Sequence, residues 1–201
     1  MSTSSLFRLG GLAAVVGGIL IAIYNVLEYL FFLDYAKTAQ SAAWFPFQVM
    51  GVTAIALALL GLTALYAMQA SRAGAFGLVA FVVAFIGLVQ FYSIQWTLAF
   101  LAPALSKAAP QLLETPKDPF FATGFLSTIL LFVIGSIIFG VSVLRSKSMP
   151  PWTAWLLIGG TILFMIGEVV GTFISPVAAI LYGAGFAGMG WSVLQQSKTA
   201  A

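Results

Sequence analysis

Residues 9–33 read LGGLAAVVGGILIAIYNVLEYLFFL, and this run decides the fold. From Leu9 to Leu27 it carries no charged side chain. A helix of this length is about 37 Å long, against a bilayer hydrocarbon core of about 30 Å. A secretory signal has an apolar core of about 7–15 residues that ends at a small-residue cleavage site. This run is longer and no A-x-A pattern closes it, so it is expected to be retained as a first spanning helix.

The rest of the chain repeats the pattern. Of its 201 residues, 62% are apolar and 6% charged, where a soluble domain has about 45–50% and 25%. Mean hydropathy is +1.10. Apolar runs separated by Pro, Gly and charged residues predict spans at about 9–33, 48–69, 75–101, 120–144, 152–174 and 177–195. The expected fold is all-α: a polytopic six-transmembrane-helix bundle forming one domain over 1–201. Residues 34–47 read as a polar loop, 70–74 as a short turn, and 106–114 as one or two interfacial helical turns.

Composition excludes much chemistry. There is no Cys and no His, which removes disulfides, thiol nucleophiles, thiolate metal sites and His-ligated haem. No Walker, Rossmann or zinc signature occurs. A net charge of +3 without a basic run is no nucleic-acid signal. No cofactor and no metal site are expected.

The charges do set an orientation. With the N-terminus inside, Arg8, Arg72, Arg145, Lys147 and Lys198 all lie inside. Lys37, Lys107 and Lys117 lie outside, sharing their loops with Asp34, Glu114 and Asp118. N-in/C-in is the expected topology, in a bacterial inner membrane. Trp44, Trp96 and Trp152 fall near span ends, as an interfacial aromatic belt requires.

Two acids interrupt the apolar runs. An acid inside a span is expensive and marks a functional hypothesis. Glu28 follows Arg8 by 20 residues, Gln90 follows Arg72 by 18, and Glu168 follows Lys147 by 21. These intervals are about 27–32 Å of helix, so all three reach the outer third of the membrane. Asn25 and Tyr24 lie one turn before Glu28. Gln48 enters the layer from the top of span two, and Tyr92 and Gln95 from span three. Thr161, Gly171 and Thr172 share the face of Glu168. The expected pocket candidates are Glu28, Asn25, Gln48, Gln90, Glu168 and Thr172. The competing reading is that Glu28, near the end of its span, turns to the outer interface. Gly183, Gly185, Gly188 and Gly190 form small-xxx-small pairs suited to close helix packing, within the bundle or between copies.

Arg8-Leu9-Gly10-Gly11-Leu12 opens the chain, Leu59-Leu60-Gly61-Leu62 with Leu65-Tyr66-Ala67 closes span two, and Gly140 with Val143-Leu144-Arg145 closes span four. In these features the chain resembles a diffuse group of small bacterial six-helix integral membrane proteins of unknown function. That resemblance implies a fold and no activity, cofactor or site. Many such relatives have a His near the end of the first span, where this chain has Glu28.

The expected function is a non-enzymatic membrane protein. It would bind a lipid or small amphiphile in an outer-leaflet polar pocket, or associate with partner membrane proteins or its own copies. The alternatives are a small ion- or proton-coupled transporter using Glu28 or Glu168 and, last, a carboxylate-dependent membrane enzyme.

Overall fold

The computed structural model describes residues 3–113, 119–170 and 172–199; the side chains at 3, 4, 121, 168–170, 172, 198 and 199 lie outside that description. The protein is all-α. Helix α1 covers Thr3–Phe31, α2 Tyr35–Thr38, α3 Trp44–Phe100 and α4 Ala102–Ala108. Helix α5 covers Pro119–Ser146, α6 Pro151–Val170 and α7 Ser175–Thr199. Single 3-10 turns stand at Pro110–Leu112 and Thr172–Ile174. Pro119 and Pro151 open their helices and Pro176 follows at the second position of α7. A first-turn proline loses no intrahelical bond there. Four of the helices, α1, α3, α5 and α7, are long and apolar enough to cross a membrane, and α6 is a shorter apolar helix.

The 57-residue α3 is two helices folded back on each other at Gly74. The expected five-residue turn at 70–74 is in fact one residue. Gly74 has φ 58° and ψ −157°, the only non-helical angles in α3. That region of backbone space is open essentially to glycine alone. The two arms then run antiparallel. Tyr66 stacks on Phe81 at 4.5 Å near the bend, and at the far end the Trp44 indole N–H donates to the Leu98 carbonyl at 2.9 Å.

Trp44 therefore departs from the expected aromatic belt. It is 1% exposed, whereas Trp96 and Trp152 are about half exposed. The cause is the helix end at Phe100. The last carbonyls of a helix lack intrahelical donors, and the indole supplies one to Leu98. The polar loop expected over 34–47 also shrinks, because α2 and the first turn of α3 occupy much of it.

The helices close into a ring. Helix α1 packs on the first arm of α3 through Gly17 against Ala58 and Gly61 against Ala14. The second arm meets α5 through Gly87 against Leu131 and Gly135 against Ala84. Helix α5 meets α6 at Gly140, beside Ile158 and Ala154. Helix α7 fits between α6 and α1: Gly185 and Gly188 face Thr153, while Gly183 and Gly190 face Gly18 and Gly11. The small-residue stripe of α7 is thus spent inside the bundle, on two neighbours. Apolar side chains cover the outside, with Leu60, Val79, Leu126, Trp155 and Trp191 each more than half exposed.

One end of the ring gathers the basic residues. Arg145 lies 4.8 Å over the Phe76 ring, beside the Gly74 bend that carries Arg72. Gln196 Nε2 donates to the Ser148 carbonyl at 3.2 Å, bringing the end of α7 to the α5–α6 turn. Gly11 packs on Leu194, placing Arg8 at the same end. Asp34, Lys37 and Lys107 stand at the opposite end. There Asp34 caps α2 by accepting from the Lys37 backbone N–H and pairs with the Lys37 ammonium at 2.8 Å. These bonds hold the Asp34 carboxyl below and the Lys37 ammonium above their ordinary ranges. Both groups are solvent-exposed, so the pair adds little stability.

Gly74→Ala is expected to lower stability by about 1–3 kcal/mol through backbone strain alone, because no atom lies within 4 Å of the added Cβ. Gly124 has equally open surroundings but sits in α5; Gly124→Ala should leave stability unchanged or raise it by up to about 1 kcal/mol. Thermal unfolding of the two purified variants in one detergent checks the contrast.

Candidate functional site

The non-basic half of the ring encloses a cavity of about 1180 Å³. Its floor is formed by Ile55, Leu88, Gly160 and Tyr182. Below them Leu62, Leu65, Phe139, Val143, Met189 and Val193 fill the basic half without gaps for a ligand, each 2% exposed or less. Leu88 lies twelve residues before Phe100, so the floor is about 18 Å below the helix end. That depth matches roughly one leaflet of a 30 Å core. Leu101, Leu105, Leu112 and Leu113 roof the cavity from α4 and the 3-10 turn beside it.

The polar part of the wall is built around Tyr24. Its hydroxyl lies 3.1 Å from Glu28 Oε1, 3.0 Å from Gln48 Oε1 and 3.2 Å from Gln95 Oε1. One phenol proton serves one acceptor. Turning the Gln48 amide by half a rotation aims its Nε2 at the phenol oxygen, giving that otherwise unpartnered buried nitrogen an acceptor. Tyr24 then accepts from Gln48 and donates to Glu28 or Gln95. Its ring stacks on Phe47 at 4.5 Å, which fixes the hydroxyl where α1 and both arms of α3 meet.

Glu28 turns toward the cavity and α2. Its Oε1 accepts from Tyr24 and, at 2.6 Å, from Tyr35 on α2. The second distance is that of a short bond to a carboxylate. Glu28, Asn25, Gln90 and Gln95 all line the cavity, as do Tyr24 and Tyr35. Asn25 is partly occupied locally, donating to the Ile21 carbonyl at 2.9 Å. Gln90 Oε1 is buried without a hydrogen-bond partner. Gln95 is 7% exposed; its Oε1 faces Tyr24, and the Nε2 end of the same amide is left over.

Four of the six sequence candidates can be placed. Glu28, Asn25 and Gln90 share the cavity, and Gln48 stands behind it as a partner of Tyr24. Glu168 and Thr172 have side chains outside the described residues. The backbone carries Glu168 one turn past Phe164, a cavity residue. The sequence reading did not select Tyr24, Gln95 or Tyr35. For Tyr24 the signal was its place four residues before Glu28. Nothing in the sequence pairs Tyr35 with Glu28, because that contact depends on the turn at 32–34.

The cavity is open to its surroundings, since lining residues such as Leu112 and Phe125 are also exposed on the outside. The polar groups on one wall suit water or a polar head, and the remaining wall, rich in Phe and Leu, suits hydrocarbon. Among the described residues no group of His, Cys, Asp and Glu is placed to hold a metal ion.

Comparison with known protein families, curated proteins and solved structures returned no match.

Tyr24→Phe strips Gln48 and Gln95 of their shared partner and should destabilise the protein by about 1–3 kcal/mol. Replacing Gln48 by Leu in the same chain should recover part of that loss, because removing both members of a buried polar pair costs less than orphaning one. Denaturant titrations of the two variants in mixed micelles test this; equal loss in the single and double variants would remove Tyr24 from the centre of the network.

Proposed function

We propose that this chain is a multi-pass, six-span protein of a bacterial inner membrane, with both termini inside. In this reading it is a non-enzymatic binding protein, holding a lipid or small amphiphile in the cavity at outer-leaflet depth. The observation that carries it is the cavity itself: about 1180 Å³, apolar over most of its wall, with one polar edge at Tyr24, Glu28, Gln90 and Gln95.

Six spans follow if each arm of α3 crosses once and α6 crosses with them. The arms 44–73 and 75–100 are each long enough for about 30 Å of hydrocarbon. Helix α6, at 20 residues, also suffices. Collection of Arg8, Arg72, Arg145 and Lys147 at one end supports the inside assignment for that end.

An amphiphile matches both parts of the wall. Its head would meet the amide of Gln95 and the unpartnered oxygen of Gln90. Its apolar part would lie against Phe91, Phe132 and Phe164 toward the floor. Binding is favoured over passage, because the packed half below Leu88 leaves no path across the bundle. An enzymatic role has less support, since the chain has no His or Cys and no second described carboxylate faces Glu28 across the cavity.

Two measurements test the proposal. The chain has no native Cys, so single-cysteine variants report topology directly. Ser41→Cys should react with a membrane-impermeant maleimide in intact cells, and Ser71→Cys only after permeabilisation. The reverse pattern would overturn the orientation. Native mass spectrometry of the purified protein should show a retained amphiphile, and Gln95→Leu should reduce its occupancy about tenfold, equivalent to losing roughly 1.4 kcal/mol of binding. A protein that never retains an amphiphile would overturn the binding role.

A further inference from the structure

The outer half of α5 is packed more loosely than its inner half. Its inner half is held closely: Val133, Phe139 and Val143 are buried, and Gly135 and Gly140 lie against the backbone or side chains of α3 and α6. Above residue 132 the packing loosens, although Thr128 is still buried. Gly124 lines the cavity, yet among the described residues no atom lies within 4 Å of where its Cβ would stand. Phe120 and Phe125 also line the cavity, and they are 89% and 39% exposed. Leu126 and Leu130, on the outward side, are 56% and 46% exposed. Residues that face the cavity and the exterior together mark a mouth. The mouth runs from the end of the ring, where Leu101 and Leu112 also line the cavity at 46% and 55% exposed, into its wall along α5.

The surroundings of the mouth decide what passes through it. Gly124 and Phe125 lie in the Ala122–Ser146 segment, which is apolar enough to cross a membrane. Around them Phe120, Leu126, Ile129 and Leu130 are apolar, and the hydroxyls of Thr123, Ser127 and Thr128 donate to carbonyls of α5 itself. An opening at this depth gives on to hydrocarbon, and water has no access to it from the side. The polar edge of the cavity is at a matching level: Gln95 is five residues from the outer end of α3, and Gly124 five from the outer end of α5. The floor lies about half a membrane thickness below. Head level, mouth level and floor are thus arranged as in one lipid of the outer leaflet.

We infer that the cavity is loaded sideways from the bilayer along the outer half of α5, and that its occupant is an acyl-chain lipid of the outer leaflet. The chain passes beside Gly124 and Phe125 and ends against Phe91, Phe132 and Phe164. The head stays level with Tyr24 and Gln95. This rests on the binding role proposed above and adds the chemical class and the route.

The test uses the full-length protein in phosphatidylcholine vesicles doped with a phosphatidylcholine that bears a photoreactive diazirine on its acyl chain. On brief illumination, the native protein should be labelled at Phe91, Phe132 or Phe164 as well as on the outward faces. Gly124→Trp fills the mouth and should cut interior labelling about tenfold, a barrier rise equivalent to that factor, while outward labelling at Leu126 and Leu130 stays the same. Phe125→Ala widens the mouth and should raise interior labelling, which keeps the test alive if the tryptophan variant does not fold. An unchanged interior-to-surface ratio in both variants, or no interior labelling of the native protein, would overturn the route. Native mass spectrometry separates the two ideas. An amphiphile retained by the native protein whose interior labelling ignores both variants leaves the binding role standing without the route. Interior labelling that responds to both variants, with no molecule retained on purification, leaves the route without the binding role.

Discussion

Close approach of backbone to backbone is the constraint on which this fold depends. For helices as apolar outside as inside, burying one more Leu gains little, and association comes from van der Waals contact and a few interhelical hydrogen bonds. Glycine sits at each junction of the ring where such contact is made: Gly17 and Gly61 for α1 on α3, Gly87 and Gly135 for α3 on α5, Gly160 for α6 on α7, Gly18 and Gly183 for α7 on α1. A side chain at any of them would push two helices apart. The α5–α6 junction has Gly140 alone, close to the basic end. Toward the other end the two helices are free to diverge, and the cavity and its side mouth occupy that space.

The same distribution explains why the polar groups gather where they do. Gln69 ties the basic end, accepting from Ser142 and Ser146 at 3.2 Å each. Tyr24 ties the other, linking α1 to both arms of α3. Between these two knots the core is mainly apolar, with Ser136 and Thr161 buried in it. The knot at Gln69 is sealed by packing, with its own Nε2 buried and unpartnered, whereas the knot at Tyr24 borders open volume, where Gln90 and Gln95 can meet the polar head of a ligand.

Much of the site was legible one helix at a time. The shared level of Glu28 and Gln90 follows from counting residues between basic anchors and polar interruptions, because helical rise converts count into distance along the helix. Direction was harder. Glu28 near a helix end is compatible with an outward or an inward turn, and the choice falls to Tyr35, which approaches only because α2 folds over the end of α1. Trp44 misled in the same way. Its sequence position suits a membrane interface, but the open Leu98 carbonyl, 54 residues away, draws it into the protein.

By itself the sequence determined that the helices are apolar enough to cross a membrane and where along each helix its polar groups fall. Both are set by composition and by rise per residue, which are local properties of a helix. It also marked the basic end, since charge follows position along each helix. Only the tertiary structure decided that a cavity exists, that Tyr24 is the centre of its polar wall, and that the wall opens beside Gly124. Those features arise from how far apart neighbouring helices stand. That separation depends on which glycine meets which neighbour, and a pattern written along one helix does not contain it.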